Sequence, residues 1–365
     1  MILLSTPVNI YYVTGRVFSG YVCLTDDNQS LLFVQRPLDV ETNDHIIPIR
    51  KVEDIPGLLA ERGIDLPSSL ALELDALTYN EVLRIRKAFS VQELENASLI
   101  MRRRRMIKTE TEIEQLRISA DIHMEVYREV PRLFRKGMRD IDFQIEIEHL
   151  MRKKGSIGLF RTFGSNMDIY MGNLLSGDNA ALGSPFDFAL GGGGVHPSLP
   201  IGASGELIKE GTSISVDMAG NYTAYLSDMT RVFSYGMLPD IAYKAHALSL
   251  EMHSRFKKEV KAGTSCAEIY NWTLAMAEKA GLQDYFMGAN QKAKFVGHGV
   301  GLEINELPVL MARSKDFLEE NMTIAYEPKF VIPKVGAVGI ENTYLIKKEI
   351  VENLTSLDEE IQNLI

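Results

Sequence analysis

The stretch SISVDMAGNYTAYLSDMTRVFSYG (residues 213–236) predicts two β-strands joined by a turn, with one aspartate in each strand. Asp217 is expected to end the first strand and Asp228 to open the second. A charged side chain at the end of an apolar strand is energetically costly unless a partner compensates it. A bound cation is one such partner, so this hairpin predicts a metal-binding edge.

Three later segments each place one potential metal ligand inside an apolar, β-rich run. FVGHGVGLEINELP (295–308) carries His298, TIAYEPKFVIP (323–333) carries Glu327, and VGAVGIENTYLI (335–346) carries Glu341. The histidine stands between two glycines, which let the backbone crowd against another group. With the two aspartates, four carboxylates and one imidazole are expected to converge, and so many buried anions need a concentrated positive charge.

This set of donors narrows the choice of metal. Carboxylates with a single imidazole and no thiolate favour Mn²⁺, Co²⁺, Fe²⁺ or Zn²⁺ in a binuclear centre. In such a centre two divalent metal ions lie about 3.5–4 Å apart and share a hydroxide that attacks a carbonyl polarised by one ion. Taken singly, each residue has an ordinary alternative: a turn or cap aspartate, a solvent-facing glutamate or a satisfied core histidine. The hypothesis of hydrolysis therefore depends on the five residues as a set.

Two segments of the chain repeat the same pattern. KGMRDIDFQIEIEHLMRKKG (136–155) and AGTSCAEIYNWTLAMAEKAG (262–281) each contain a turn glycine, an acidic residue in the first helical turn, an amphipathic helix and a terminating glycine. The repeat predicts two similar halves with a site at their interface. Two helices with glycine ends can also coincide by chance.

The beginning of the chain predicts a smaller α/β domain without a catalytic constellation. NIYYVTG (9–15) and SLLFVQ (30–35) are β-rich, and helical patterns follow them. We place the domain boundary near residue 105. This gives an N-terminal domain of residues 1–105 and a catalytic domain of residues 106–365.

Composition disfavours several classes of partner. The 365 residues contain 39 Lys and Arg against 49 Asp and Glu, a net charge of −10, so no nucleic acid and no membrane partner is expected. No run reaches membrane-spanning length, and the start of the chain lacks the basic region of a signal peptide. Cys23 and Cys266 belong to no zinc motif and fit a reducing compartment. We therefore expect a cytoplasmic protein.

Four segments, VDMAGNYTAYLSDMTRVF, GHGVGLEINELP, YEPKFVIP and IENTYLI, resemble successive signatures of the M24 metallopeptidases. This pita-bread family includes Xaa-Pro aminopeptidase, prolidase and methionine aminopeptidase, and the similarity runs from about Lys108 to the C-terminus. NIYYVTG resembles the small creatinase/prolidase-type N-terminal domain of the Xaa-Pro members. The resemblance implies an α+β fold with a C-terminal pita-bread domain. It also implies that the N-terminal domain is shortened and lacks its first helix.

The resemblance further implies a role for each ligand. Asp217 would chelate one ion, Asp228 and Glu341 would bridge both ions, and His298 and Glu327 would hold the other. Glu327 would also act as the general base. A homodimer and a peptide substrate with proline at the second position are implied as well.

Three positions depart from the family pattern. Asn305 stands where relatives have a histidine, Gly339 where an arginine is common before the bridging glutamate, and Asn342 where an aspartate is common after it. An asparagine can donate a hydrogen bond but cannot carry a proton at neutral pH. We expect the charge around the metal ligands to be reduced and activity to be weaker or shifted in substrate.

A second family histidine is also displaced. Gly183 and Ser184 occupy its place, and the loop PFDFALGGGGVHPSLPIGASG (185–205) carries His196 instead. We expect His196 to bind substrate as its replacement. The alternative is a surface histidine in a glycine-rich linker.

The main hypothesis is a cytoplasmic Xaa-Pro aminopeptidase or dipeptidase with a dinuclear metal centre. A second hypothesis keeps the metals but assigns a non-peptide substrate, since the altered residues surround an intact ligand set. A third is a catalytically weak binding protein that has kept the fold. Metal content distinguishes the third hypothesis from the other two.

Overall fold

The computed structural model describes residues 1–26, 29–164, 170–186 and 188–365. They form two units, Met1–Arg104 and Arg105–Ile365. None of the helices within the described residues is long and apolar enough to cross a membrane.

The first unit is a mixed sheet with helices. Its elements are β1 (Ile2–Leu4), α1 (Pro7–Thr14), β2 (Ser19–Leu24), β3 (Ser30–Arg36), β4 (Ile46–Pro48), α2 (Ile55–Ala60), β5 (Ser69–Leu72), α3 (Tyr79–Phe89) and β6 (Glu93–Asn96), followed by α4 (Ala97–Met106). The six strands lie in the order β4-β3-β2-β1-β5-β6. β1 and β2 pair antiparallel, as do β2 and β3, whereas β1, β5 and β6 run parallel. The strand predicted from SLLFVQ is confirmed as β3.

The strand predicted from NIYYVTG is wrong, because these residues belong to helix α1. Pro7 is the first residue of this helix. The N–H groups of the first turn make no hydrogen bond within a helix, so the lack of an N–H in proline costs nothing there. Gly15 follows the helix with a φ of +71°. The Glu73 carboxylate accepts hydrogen bonds from the N–H groups of Ser5 at 2.6 Å and Thr6 at 2.8 Å. A carboxylate at a helix N-terminus is stabilised by the helix dipole. This partner lies far away in the sequence, and the aromatic and β-branched residues alone favoured a strand.

The second unit contains four longer helices and eleven strands among the described residues. Its elements are α5 (Glu110–Leu133), α6 (Asp140–Lys153), β7 (Gly172–Ser176), β8 (Thr212–Gly220), β9 (Ser227–Tyr235), α7 (Asp240–Glu259), α8 (Cys266–Lys279), β10 (Phe295–Gly299), β11 (Glu306–Met311), β12 (Thr323–Tyr326), β13 (Phe330–Ile332), β14 (Gly336–Val338), β15 (Asn342–Ile346), β16 (Val351–Asn353) and β17 (Gln362–Asn363).

This unit is built from two similar halves, as the internal repeat predicted. In the first half, α5 and α6 share a buried apolar core with the sheet β17-β9-β8-β7. In the second half, α7 and α8 share a core with the sheet β11-β10-β12-β15-β16. The repeated glycines before and after α6 and α8 all have positive φ, which glycine adopts without steric penalty.

The two halves meet where β9 approaches the chain before β15. Thr230 of β9 forms a bridge with Glu341, and the Glu341 N–H donates to the Thr230 carbonyl at 3.3 Å. This contact brings the ends of β12 and β15 to the face of the β8–β9 hairpin. The candidate site lies at this junction.

Candidate metal centre

The β8–β9 hairpin carries both predicted aspartates. Asp217 pairs with Thr230, and Asp228 pairs with Ala219. The two aspartates are therefore offset by two positions across the strand pair and project from the same face. Asp228 is the second residue of β9, so the strand starts one position earlier than predicted. The prediction for Asp217 is wrong: it lies inside β8, because pairing with β7 and β9 extends the strand beyond it.

His298 lies in β10 between β11 and β12. A Cβ atom on Gly297 or Gly299 would collide with backbone carbonyls of these neighbouring strands, so the two glycines permit the close packing that the sequence predicted. The His298 Nδ1 atom lies 3.1 Å from the Gly299 carbonyl, which can only accept, so Nδ1 carries the proton. The Nε2 atom faces the carboxylates, 3.4 Å from Glu327 Oε1 and 3.9 Å from Asp228 Oδ2.

Glu327 and Glu341 come from adjacent strands. Glu327 directly follows β12 and Glu341 directly precedes β15, and these two antiparallel strands pair up to Tyr326 and Asn342. The two glutamates therefore lie side by side at one end of the sheet. Both are almost fully buried, at 3% and 1% exposure.

The donor atoms form two groups that share Glu341. Asp228, His298 and Glu341 make one group, and Asp217, Glu327 and Glu341 make the other. Within each group the donor atoms lie within 4.8 Å of one another. The ligands predicted from the sequence are thus brought together from five strands or strand ends of both halves.

A lysine that the sequence analysis did not single out lies within the second group. Lys329 is 1% exposed, and its Nζ atom donates to Asp217 Oδ2 at 2.8 Å, Glu327 Oε2 at 2.8 Å and Glu341 Oε2 at 3.0 Å. In the run TIAYEPKFVIP, residues two apart face the same side of an extended chain. A lysine two residues after Glu327, amid apolar residues, was the available signal.

Burial and mutual repulsion shift the acid–base properties of these groups. Burial raises the pKa of Glu341 to about 8, and the neighbouring Glu327 charge adds to this shift. Burial, followed by the charge of Glu341, also raises the pKa of Asp228 well above its ordinary value. Burial alone would raise the pKa of Glu327, but the Lys329 ammonium and the hydrogen bond from His298 hold it at about 2. The raised values reflect mainly the burial of these two carboxyl groups, and repulsion between neighbouring carboxylates adds to it.

The residues fit a divalent ion in the first group. The Oε1 atom of Glu341 is buried and has no hydrogen-bond partner within the described residues, which leaves it available to a cation. His298 presents Nε2 and Asp228 a carboxylate to the same point. The second group offers equally close donors, but the Lys329 ammonium already lies among them.

Asn305, the first departure from the family pattern, is engaged with backbone. Its Oδ1 atom accepts from the Phe163 N–H at 2.7 Å, and its Nδ2 atom donates to the Phe163 carbonyl at 2.9 Å. The amide therefore positions the chain at residue 163. A histidine has no acceptor and donor spaced to make this pair.

The other two departures lie beside the ligands. Gly339 has a φ of +105°, and a Cβ atom there would collide with the Pro328 carbonyl. Asn342 accepts a hydrogen bond from Arg231 Nη2 at 2.8 Å and donates one to Glu359 Oε1 at 2.8 Å. Arg231 is 2% exposed and supplies a buried positive charge that sequence reasoning did not identify.

His196 lies apart from these contacts. Its side chain is exposed, and its Nδ1 atom accepts from the Ser198 N–H at 3.1 Å. Residue 187 of the same loop lies outside the described residues. A role for His196 in substrate binding stays a prediction.

Comparison with known proteins agrees with this architecture. Residues 1–107 match the creatinase/prolidase N-terminal domain, and residues 114–348 match metallopeptidase family M24. An Xaa-Pro dipeptidase of Pyrococcus furiosus is 25% identical over 366 residues, which cover 99% of this chain and 94% of that protein.

Solved structures show the same fold. The prolidase from Pyrococcus furiosus superposes with a TM-score of 0.79 at 25% identity, covering 98% of this chain and 96% of that one. An X-Pro aminopeptidase from Thermotoga maritima superposes with a TM-score of 0.80 at 23% identity, covering 99% and 97%. The predicted α+β fold, with a creatinase-type N-terminal domain and a pita-bread domain, is confirmed. The chain belongs to metallopeptidase family M24.

Proposed function

We propose that the chain hydrolyses Xaa-Pro peptide bonds, in dipeptides or at the N-terminus of longer peptides, with the help of divalent metal. The observation that carries the proposal is the convergence of Asp217, Asp228, His298, Glu327 and Glu341 at the junction of the two halves. The Xaa-Pro dipeptidase with which the chain aligns over 99% of its length supports the substrate class.

Asp228, His298 and Glu341 would hold an ion, and the ion would polarise the scissile carbonyl and lower the pKa of a water molecule. Around it, the His298 Nδ1–H bond to Gly299 keeps Nε2 aimed at the carboxylates. Thr230 Oγ1 donates to Glu341 Oε2 at 2.8 Å and fixes the orientation of that carboxylate. These contacts pre-organise the donors before substrate arrives.

Glu327 is the candidate proton acceptor. A general base works best when its pKa lies near the working pH. In the metal-free site the Lys329 ammonium and the hydrogen bond from His298 lower the Glu327 pKa against the effect of burial. Lys329 therefore competes with an incoming proton for this carboxylate.

A cavity of about 390 Å³ in the second unit offers room for an apolar side chain. Phe188, Leu190, Phe295 and Met311 are among the residues that line it. The Phe295 ring centre lies 6.1 Å from that of His298. Phe295 thus connects the cavity to His298, which supports binding of a small peptide at this place.

The test is a panel of Xaa-Pro and Xaa-Pro-Yaa peptides assayed with Mn²⁺, Co²⁺ and Zn²⁺ in parallel and read by product identity. Asp228→Ala should abolish release, whereas Asp240→Ala, in the first turn of α7, should not. Absence of release with every metal, or equal release by Asp228→Ala, would contradict the proposal. The products distinguish a dipeptidase from an aminopeptidase.

A second candidate is a catalytically weak binding protein. The Lys329 ammonium among three carboxylates, and the Asn305 amide engaged with Phe163, favour it. Calorimetric binding of Xaa-Pro peptides without product release would support this candidate over the first.

We further propose a cytoplasmic homodimer that uses manganese. Cys23 and Cys266 are both buried and unpaired, which supports a reducing compartment. The proposals of a homodimer and of manganese are based on the resemblance to the M24 family. Light scattering after gel filtration tests the dimer, and metal analysis of protein isolated without added metal tests the manganese.

A further inference from the structure

We propose that the Lys329 ammonium takes the place of one of the two divalent cations that the five ligands would otherwise hold. Each chain then binds a single ion, between Asp228, His298 and Glu341. This inference rests on the metal site of the proposed function but not on its peptide substrate.

The Lys329 ammonium uses all three of its N–H groups to bind the carboxylates of the second group, Asp217, Glu327 and Glu341. A lysine ammonium has three N–H donors, and here each lies within 3.0 Å of a different carboxylate. These are the distances of charge-assisted hydrogen bonds. A metal ion would need the same oxygens at about 2.0–2.2 Å and would therefore overlap the ammonium.

The lysine is held in place by its backbone as well as by its charge. The Lys329 carbonyl accepts from the Met287 N–H at 2.9 Å. A Cβ atom on Gly339 would also lie against the Lys329 Cα, so the glycine makes room for this segment. The departure at Gly339 and the lysine thus belong to one local arrangement.

Charge balance favours one ion over two. When all four carboxylates are ionised, as metal ligation requires, they carry four negative charges, and one ammonium leaves three of them uncompensated. One divalent ion leaves a single negative charge, whereas two divalent ions beside the ammonium would place three cations within a few ångströms of one another. Like charges at that separation in a low-dielectric interior repel strongly.

The position left for the ion is the one with an unused donor. The Glu341 Oε2 atom is taken by Thr230 and Lys329, but its buried Oε1 atom has no partner within the described part of the chain. Asp228 and His298 lie within 4.8 Å of that carboxylate. The geometry points to a mononuclear site beside a fixed ammonium.

The experiment counts ions in the full chain without substrate. Protein stripped with chelator is dialysed against Mn²⁺, bound metal is measured by mass spectrometry, and the Mn²⁺ is examined by electron paramagnetic resonance. The variants are Lys329→Met and Lys329→Gln, the second keeping a hydrogen-bonding side chain without charge. Lys108→Met is the matched control, because Lys108 is equally buried and lies 3.0 Å from Glu306, outside the ligand set.

Wild type and Lys108→Met should bind one Mn²⁺ per chain and show the resolved hyperfine pattern of an isolated ion. A Lys329 variant should bind two and show a spin-coupled pair. The inference would be overturned if wild type bound two Mn²⁺ ions or none. It would also be overturned if a folded Lys329 variant bound no more Mn²⁺ than wild type. If both variants fail to fold, the wild-type count decides alone. The result does not depend on turnover, so a failed peptidase assay leaves it intact.

Discussion

Replacing Lys329 with methionine should destabilise the metal-free protein strongly. The substitution keeps most of the buried stem but removes the cation that three carboxylates share within 3.0 Å. Removing one partner of a buried ion pair typically costs about 3–5 kcal/mol, because the remaining charge is buried without compensation. For a domain of this size that corresponds to a fall in Tm on the order of 10 °C.

The single tryptophan makes the measurement specific to the unit that contains the site. Trp272 lies in α8 of the second unit, so its fluorescence follows unfolding of that unit. Thermal unfolding of wild type and Lys329→Met would be compared at pH 8 in excess chelator. Lys315→Met, at an exposed lysine of the same unit, should stay within about 0.5 kcal/mol of wild type.

The loss should grow as the pH rises above 8. Burial and the neighbouring Glu327 charge place the Glu341 pKa at about 8, and loss of the ammonium raises it further. Above pH 8 the folded variant therefore keeps a proton on Glu341 until the pH reaches this higher pKa, and beyond it the carboxylate is buried without its cation. A Tm change below about 3 °C at pH 8 would refute the view that Lys329 neutralises this cluster, since it would imply less than about 1–2 kcal/mol.

Three further predictions concern other parts of the second unit. Burial lowers the pKa of His253 to about 3. Below pH 6.5 the histidine therefore binds a proton in the unfolded state but not in the folded state. The free energy of unfolding should therefore fall by about 1.4 kcal/mol per pH unit below pH 6.5 because of this residue, and urea titrations should show a shallower slope for His253→Asn. Glu341→Gln should weaken Mn²⁺ binding at least about tenfold by calorimetry, because we propose this carboxylate as a direct ligand and even supporting contacts are worth that much. Unchanged affinity would place the ion elsewhere. Tyr127→Phe should lower the free energy of unfolding in urea by about 1–3 kcal/mol, because the Tyr127 hydroxyl donates to the Met229 carbonyl at 2.6 Å and accepts from the Met218 N–H at 3.1 Å. An unchanged free energy would mean that water replaces the hydroxyl.

The elements that sequence patterns predicted well have local causes. The β8–β9 hairpin follows from two apolar runs around a turn, and the helices α6 and α8 are flanked on both sides by glycines with positive φ. The order of the five candidate ligands along these elements was also visible. Such signals reside within a few residues of one another.

The predictions that failed involve partners far away in the chain. NIYYVTG forms a helix whose start is stabilised by Glu73, and Asp217 lies inside a strand whose length is set by its two neighbours. Lys329 was overlooked because its role depends on a contact with Asp217, which lies more than a hundred positions earlier in the chain.

The sequence by itself determined which residue types are available for metal chemistry, the duplicated helix pairs and the family to which the chain belongs. Only the tertiary structure decided how the charges are shared: it placed an ammonium among three carboxylates and left one glutamate oxygen without a partner. The physical reason is that electrostatic balance depends on distances of a few ångströms in a buried space. Those distances arise when the two halves pack together, and no local pattern encodes them.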